Sequence, residues 1–107
     1  MHLLSVYDLM VMKPSSALAL HRDDVRRLVE GSRARNPRVF GSALQGKDIE
    51  TSDIDILVDP LPGATLFDLG GLQMALQDLL GVSVDLVTPD DLPQRLREQV
   101  LREAIPV

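Results

Sequence analysis

The segment SDIDILVD, residues 52–59, restricts the fold more than any other part of the chain. Ile54, Ile56 and Val58 alternate with Asp53 and Asp55, and a β-strand sends alternate side chains to opposite faces. The apolar set calls for burial against a core. The carboxylate set calls for the opposite, because an ionised carboxyl taken out of water without a partner is costly. Such a strand fits a sheet that is covered on one face and open on the other.

The flanking sequence supplies the cover. MKPSSALALHRDDVRRLVE reads as a helix with Pro14 and Ser15 or Ser16 at its start, Leu18, Val25, Leu28 and Val29 mostly on one face, and Gly31 near its end. RVF makes a short strand that stops at Gly41-Ser42, and SALQG has room for only about one helical turn. After PLPG breaks the chain, Leu69, Leu72, Leu76, Leu79 and Leu80 recur at helical spacing. Gly70 and Gly71 weaken the first turn of that helix and read as a loose start or a site of close packing. VSVDLV is a third strand, with Asp85 on the face of Ser83 and Val87. After Thr88, PDDLPQRLREQVLREA reads as a last helix, with Leu92, Leu96 and Val100 four residues apart. The order predicts an α/β (α+β) fold, a small mixed sheet with helices mainly on one face. A domain is expected over 12–107, with 1–11 as an N-terminal extension.

Charge is distributed unevenly. Between Lys13 and Lys47 there are eight bases against three acids, while Asp48–Asp91 holds ten acids and no base. An acidic half is a poor surface for nucleic acid, whose binding relies on Lys and Arg at phosphates, so no direct nucleic-acid partner is expected. The arginines at 22, 26, 27, 33, 35 and 38 read as a solvated face or, in the livelier alternative, a surface for a partner protein. The chain has no cysteine, which removes thiolate nucleophiles and cysteine-based zinc sites and makes cytoplasm the simplest compartment. LLSVYDLMVM is short and contains Asp8, so neither a signal peptide nor a membrane span is expected.

The open face is where chemistry is expected. Asp53 and Asp55, with Asp85 as the third candidate, would repel one another unless a cation sits among them. Magnesium takes oxygen ligands and binds through one or two carboxylates plus substrate phosphates. A Gly-Ser turn adds close backbone approach, N–H donors and a hydroxyl for phosphate. Metal and phosphate cradle within a dozen residues point to transfer of a nucleotidyl group from a nucleoside triphosphate.

GSALQGKDIETSDIDILV resembles the Gly-Ser, ten-residue gap, Asp-x-Asp signature of the DNA polymerase beta-like nucleotidyltransferase superfamily. Within it, the short length is similar to the minimal nucleotidyltransferases, the MntA-like antitoxins that accompany an HEPN-domain toxin. The resemblance covers about residues 12–107. It implies that Gly41 and Ser42 hold the triphosphate, that Asp53 and Asp55 ligate two Mg2+ ions (or Mn2+), and that Asp85 is the third carboxylate. It further implies an antitoxin that moves AMP from ATP to a tyrosine of an HEPN ribonuclease toxin. Family members commonly carry arginine in the turn, where Ala43, Leu44 and Gln45 stand here. Lys47 is the candidate to replace that charge at the nucleotide. Two alternatives stay open: a non-catalytic module that neutralises the toxin by occlusion, and a nucleotidyltransferase for a small molecule.

Overall fold

The computed structural model describes residues 12–107. The expected extension, 1–11, lies outside the described residues. The chain runs α1 (Pro14–Leu20), α2 (Arg22–Glu30), β1 (Ala34–Phe40), β2 (Ile54–Pro60), α3 (Leu66–Leu80), β3 (Val84–Val87), a 3-10 turn (Pro89–Asp91), α4 (Gln94–Glu103) and β4 (Ile105–Pro106). The sheet order is β3-β2-β1-β4. β1 pairs antiparallel with both β2 and β4, and β2 pairs parallel with β3 across the α3 crossover. The sheet is therefore mixed, as the order of elements predicted.

The single N-terminal helix expected from the sequence is two. His21 (φ −117°, ψ 23°) breaks it, its N–H bonding back to Ala17 and Leu18. Asp23 and Asp24 then fall in the first turn of α2, where negative charge suits the helix dipole. The expected last helix also splits. Pro93, which lacks an N–H, separates α4 from the 3-10 turn, and Thr88 with Asp91 forms a capping box on that turn.

β1 is longer than the RVF expected. A register shift between Arg35 and Arg38 accommodates Pro37, and Asn36 adopts positive φ there, as Arg33 does in the turn before β1. Asn36 and Arg38 both donate to the Asp59 carboxylate, at 3.0 and 2.7 Å, which fastens β1 to β2. α3 starts at a Thr65/Asp68 capping box and ends at Gly81 in the left-handed conformation.

Ile54, Ile56 and Val58 form the core with Val25 and Val29 of α2 and Leu72, Leu76 and Leu80 of α3. β2 thus buries its apolar face under the helices, as its alternation required. On the opposite face Leu57 is also fully buried, between Asp55 and Asp59, and stands outside that core cluster. At the sheet edge, Gln77 and Gln73 of α3 accept from the β3 N–H groups of Val84 (3.1 Å) and Leu86 (3.3 Å). Among the described residues no helix is long and apolar enough to cross a membrane.

Candidate active site

The site forms where β1 ends and β2 and β3 begin, side by side. Phe40 pairs with Asp55, and Asp55 pairs with Asp85 across the parallel ladder. The next residue after Phe40 is Gly41, so the turn opens directly over the Asp55 side chain.

Gly41 has φ +74°, a conformation that L side chains rarely adopt, and a Cβ there would overlap Asp55 Oδ2. No other residue type brings the backbone this close to a carboxylate. The turn then closes on itself: Gln45 N–H donates to the Gly41 carbonyl (3.2 Å) and Lys47 N–H to the Ser42 carbonyl (2.9 Å). Ala43 and Leu44 pack against the core, which leaves the Gly41-Ser42 backbone anchored from below.

The segment after the turn is held from a distance. Asp48, only 5% exposed, accepts from Ser15 N–H (2.8 Å) and Ser15 Oγ (3.0 Å) at the start of α1. Burial alone would raise the Asp48 pKa; the hydrogen bonds from Ser15 outweigh it and hold the carboxylate below its usual range. Sequence reasoning missed this residue, and no local signal marks it, since its partner lies 33 positions away.

Asp53 sits just ahead of β2, exposed, rather than inside the strand as expected. Asp55 is half-buried within β2 and Asp85 is exposed in β3. The Asp55 carboxyl is pushed up to about 6, first by burial, then by the charge of Asp85 and a hydrogen bond with it, and last by the charge of Asp53. The ion pairs among the described residues are His21–Asp24, Arg26–Asp23, Arg27–Asp24, Arg38–Asp59 and Arg102–Glu98, none of which involves these three acids. Lys47 is exposed and forms no ion pair among the described residues.

Among the described residues no three acids or histidines converge tightly enough to enclose a single ion. Asp55 and Asp85 are the pair in contact, and Asp53 stands beside them. This donor set still fits a divalent cation. It is all oxygen, none of its three acids joins an ion pair among the described residues, and burial together with the charges of Asp85 and Asp53 raises the Asp55 pKa.

A mixed sheet with α1, α2 and α3 packed on one face, paired carboxylates on the other and a glycine turn resting on one of them defines a nucleotidyltransferase. The family model described as "Polymerase beta, Nucleotidyltransferase" matches residues 31–107, and the chain belongs to that family. Within it the chain is MntA-like. It is 38% identical over 90 residues to the protein adenylyltransferase MntA of Thermococcus cleftensis, covering 84% of this chain and 88% of that one. A Methanocaldococcus jannaschii protein, provisionally named a protein adenylyltransferase, is 41% identical over 69 residues, 64% of this chain and 74% of its own. A solved structure described as a minimal nucleotidyltransferase superposes with a TM-score of 0.79 at 47% identity, over 87% of this chain and 95% of that one. A toxin–antitoxin crystal structure with AMP-PNP gives 0.67 at 26% identity, over 78% and 69%.

Proposed function

We propose that the protein is an antitoxin that transfers AMP from ATP to a hydroxyl of its cognate toxin. The observation that carries this reading is the Asp55–Asp85 pair beneath the Gly41 backbone. A carboxylate pair that joins no ion pair among the described residues, next to a turn that only glycine can make, suits a triphosphate bound with Mg2+ (or Mn2+). The relatives named as protein adenylyltransferases, and the likeness to a toxin–antitoxin complex with an ATP analogue, support the nucleotide and the protein acceptor.

Asp53, Asp55 and Asp85 would hold the metal, which supplies charge neutralisation at the phosphates and acidifies the attacking hydroxyl. The Gly41 and Ser42 backbone and the Ser42 hydroxyl would orient the triphosphate, with Lys47 available to approach its outer phosphates. In the transfer, the acceptor oxygen bonds to the α-phosphorus, the bond from the α-phosphorus to the bridging oxygen breaks, and pyrophosphate leaves. The acceptor's proton passes to a carboxylate, for which the exposed Asp85 is the candidate. The acceptor is a tyrosine of an HEPN ribonuclease toxin in this reading, and the compartment is the cytoplasm.

Occlusion without chemistry is the second reading. It is favoured by one feature, the turn's Ala43, Leu44 and Gln45, which offer no guanidinium to the triphosphate. Intact-mass spectrometry of the toxin after incubation with ATP, Mg2+ and this protein separates the two. An AMP increment with wild type and none with Asp53→Ala/Asp55→Ala is expected. A toxin silenced at unchanged mass would replace transfer by occlusion.

A further inference from the structure

α3 turns an apolar stripe to solvent. Phe67 is 92% exposed and Met74 66%, and Gly70 and Gly71 lie between them on the same helical face, at positions i, i+3, i+4 and i+7. Neither glycine serves packing inside the chain: among the described residues nothing lies within 4 Å of a Cβ built on either. Both nevertheless weaken the helix relative to alanine. A large exposed aromatic and two unused glycines are explained together if another backbone approaches there.

The stripe is symmetric about its own centre. Read in either direction it is large side chain, two residues, Gly-Gly, two residues, large side chain. Two such helices laid antiparallel set Phe67 of each against Met74 of the other, with Gly70 facing Gly71, and sulfur–aromatic contact is favourable there. Self-complementarity of this kind is what a two-fold interface requires. Charge selects the same direction. Antiparallel pairing separates the two Asp78 side chains by about 22 Å along the helix axis, whereas parallel pairing sets Asp78 against Asp78.

We propose that the protein forms an isologous dimer through α3, antiparallel about a two-fold axis passing between Gly70 and Gly71. The occupant of the stripe is a second copy of this chain. The stripe lies on the outer side of α3, since Leu72, Leu76 and Leu80 face the core. The carboxylates lie on the far face of the sheet, so the dimer holds two sites back to back, both open. A single helix pair buries less than the roughly 800 Å² per partner of a standard interface, which makes the dimer concentration-dependent.

Sedimentation equilibrium of the full chain over rising concentration tests this. Wild type is expected to shift from monomer to dimer, and Phe67→Ser to dimerise at least tenfold more weakly. Gly70→Ala/Gly71→Ala is expected to lose dimer to a similar degree yet melt at a higher temperature, because alanine favours the helix; glycines needed inside the fold would give the opposite shift. The chain has no cysteine, so Gly71→Cys should cross-link on mild oxidation while Met74→Cys, far from the axis, should not. A wild type that stays monomeric, a Phe67→Ser dimer of unchanged strength, or Met74→Cys linking as readily as Gly71→Cys would overturn the proposal. A monomer that loses toxin binding on Phe67→Ser would assign the stripe to the toxin instead.

Discussion

Replacing Gly41 by alanine isolates the contact on which the site depends. Two glycines of the same turn provide the comparison. Gly41 (φ +74°) and Gly46 (φ +70°) are almost equally left-handed, but a Cβ on Gly46 meets nothing within 4 Å, while one on Gly41 overlaps the Asp55 carboxylate. Left-handed backbone alone costs an L residue about 1–2 kcal/mol, so Gly46→Ala should lose about that much in urea unfolding. Gly41→Ala carries the same conformational cost plus overpacking of about 1–3 kcal/mol, for a total of about 2–5 kcal/mol. In an Asp55→Ala background the obstructing carboxylate is gone, and the cost of Gly41→Ala should fall back to that of Gly46→Ala. The difference is the coupling energy between turn and carboxylate. Equal costs for Gly41→Ala and Gly46→Ala, or no coupling to Asp55, would refute the claim that the turn rests on this carboxylate.

Asp55 should also give the stability a distinctive pH dependence. The native carboxyl keeps its proton up to about 6 while the unfolded one releases it near 3.8, so between these values the folded state binds more protons and stability falls as pH rises. Wild type should therefore lose stability relative to Asp55→Asn from pH 4 to 7 in urea titrations without divalent cation; a flat difference would contradict the raised pKa. Arg38, 12% exposed, is expected to cost about 1–3 kcal/mol when replaced by alanine, because Asp59 keeps only Asn36 as donor; chemical denaturation reads this, and a neutral effect would show the pair to be dispensable. A chain beginning at Met12 is expected to unfold cooperatively within a few degrees of the full chain, since the helix signals start at Pro14; loss of cooperativity on calorimetry would make 1–11 part of the fold.

The parts of this molecule legible in its sequence are those set by local period. Ile54, Ile56 and Val58 announced the covered face, and Leu72, Leu76 and Leu80 the helix lying on it. Gly41 and the Asp53/Asp55 spacing marked the candidate site, the strand period placing Asp55 opposite the core face, while Asp53 falls one residue ahead of β2. Contacts that depend on register or on distant partners were not legible. Asp85 was read from the sequence as the third carboxylate, but its register against Asp55 comes only from the parallel pairing of β2 with β3, and only the full fold brings Asp48 to Ser15. β4 is two residues long, too short to carry a period, and pairs through Arg38 and Val39. The break at His21 has no glycine or proline within it to announce a stop. Gln73 and Gln77 read as ordinary helix surface, yet they accept from the exposed edge of β3 and so protect it from pairing with another strand.

Metal-dependent nucleotide binding tests the central claim most directly. Isothermal titration of a non-hydrolysable ATP analogue into the full chain, with and without Mg2+, needs neither toxin nor turnover. Binding that requires Mg2+ in wild type and disappears in Asp53→Asn/Asp55→Asn, with the variant still folded, is the expected result. Unchanged Mg2+-dependent affinity in that variant would contradict the assignment of these carboxylates to the nucleotide site.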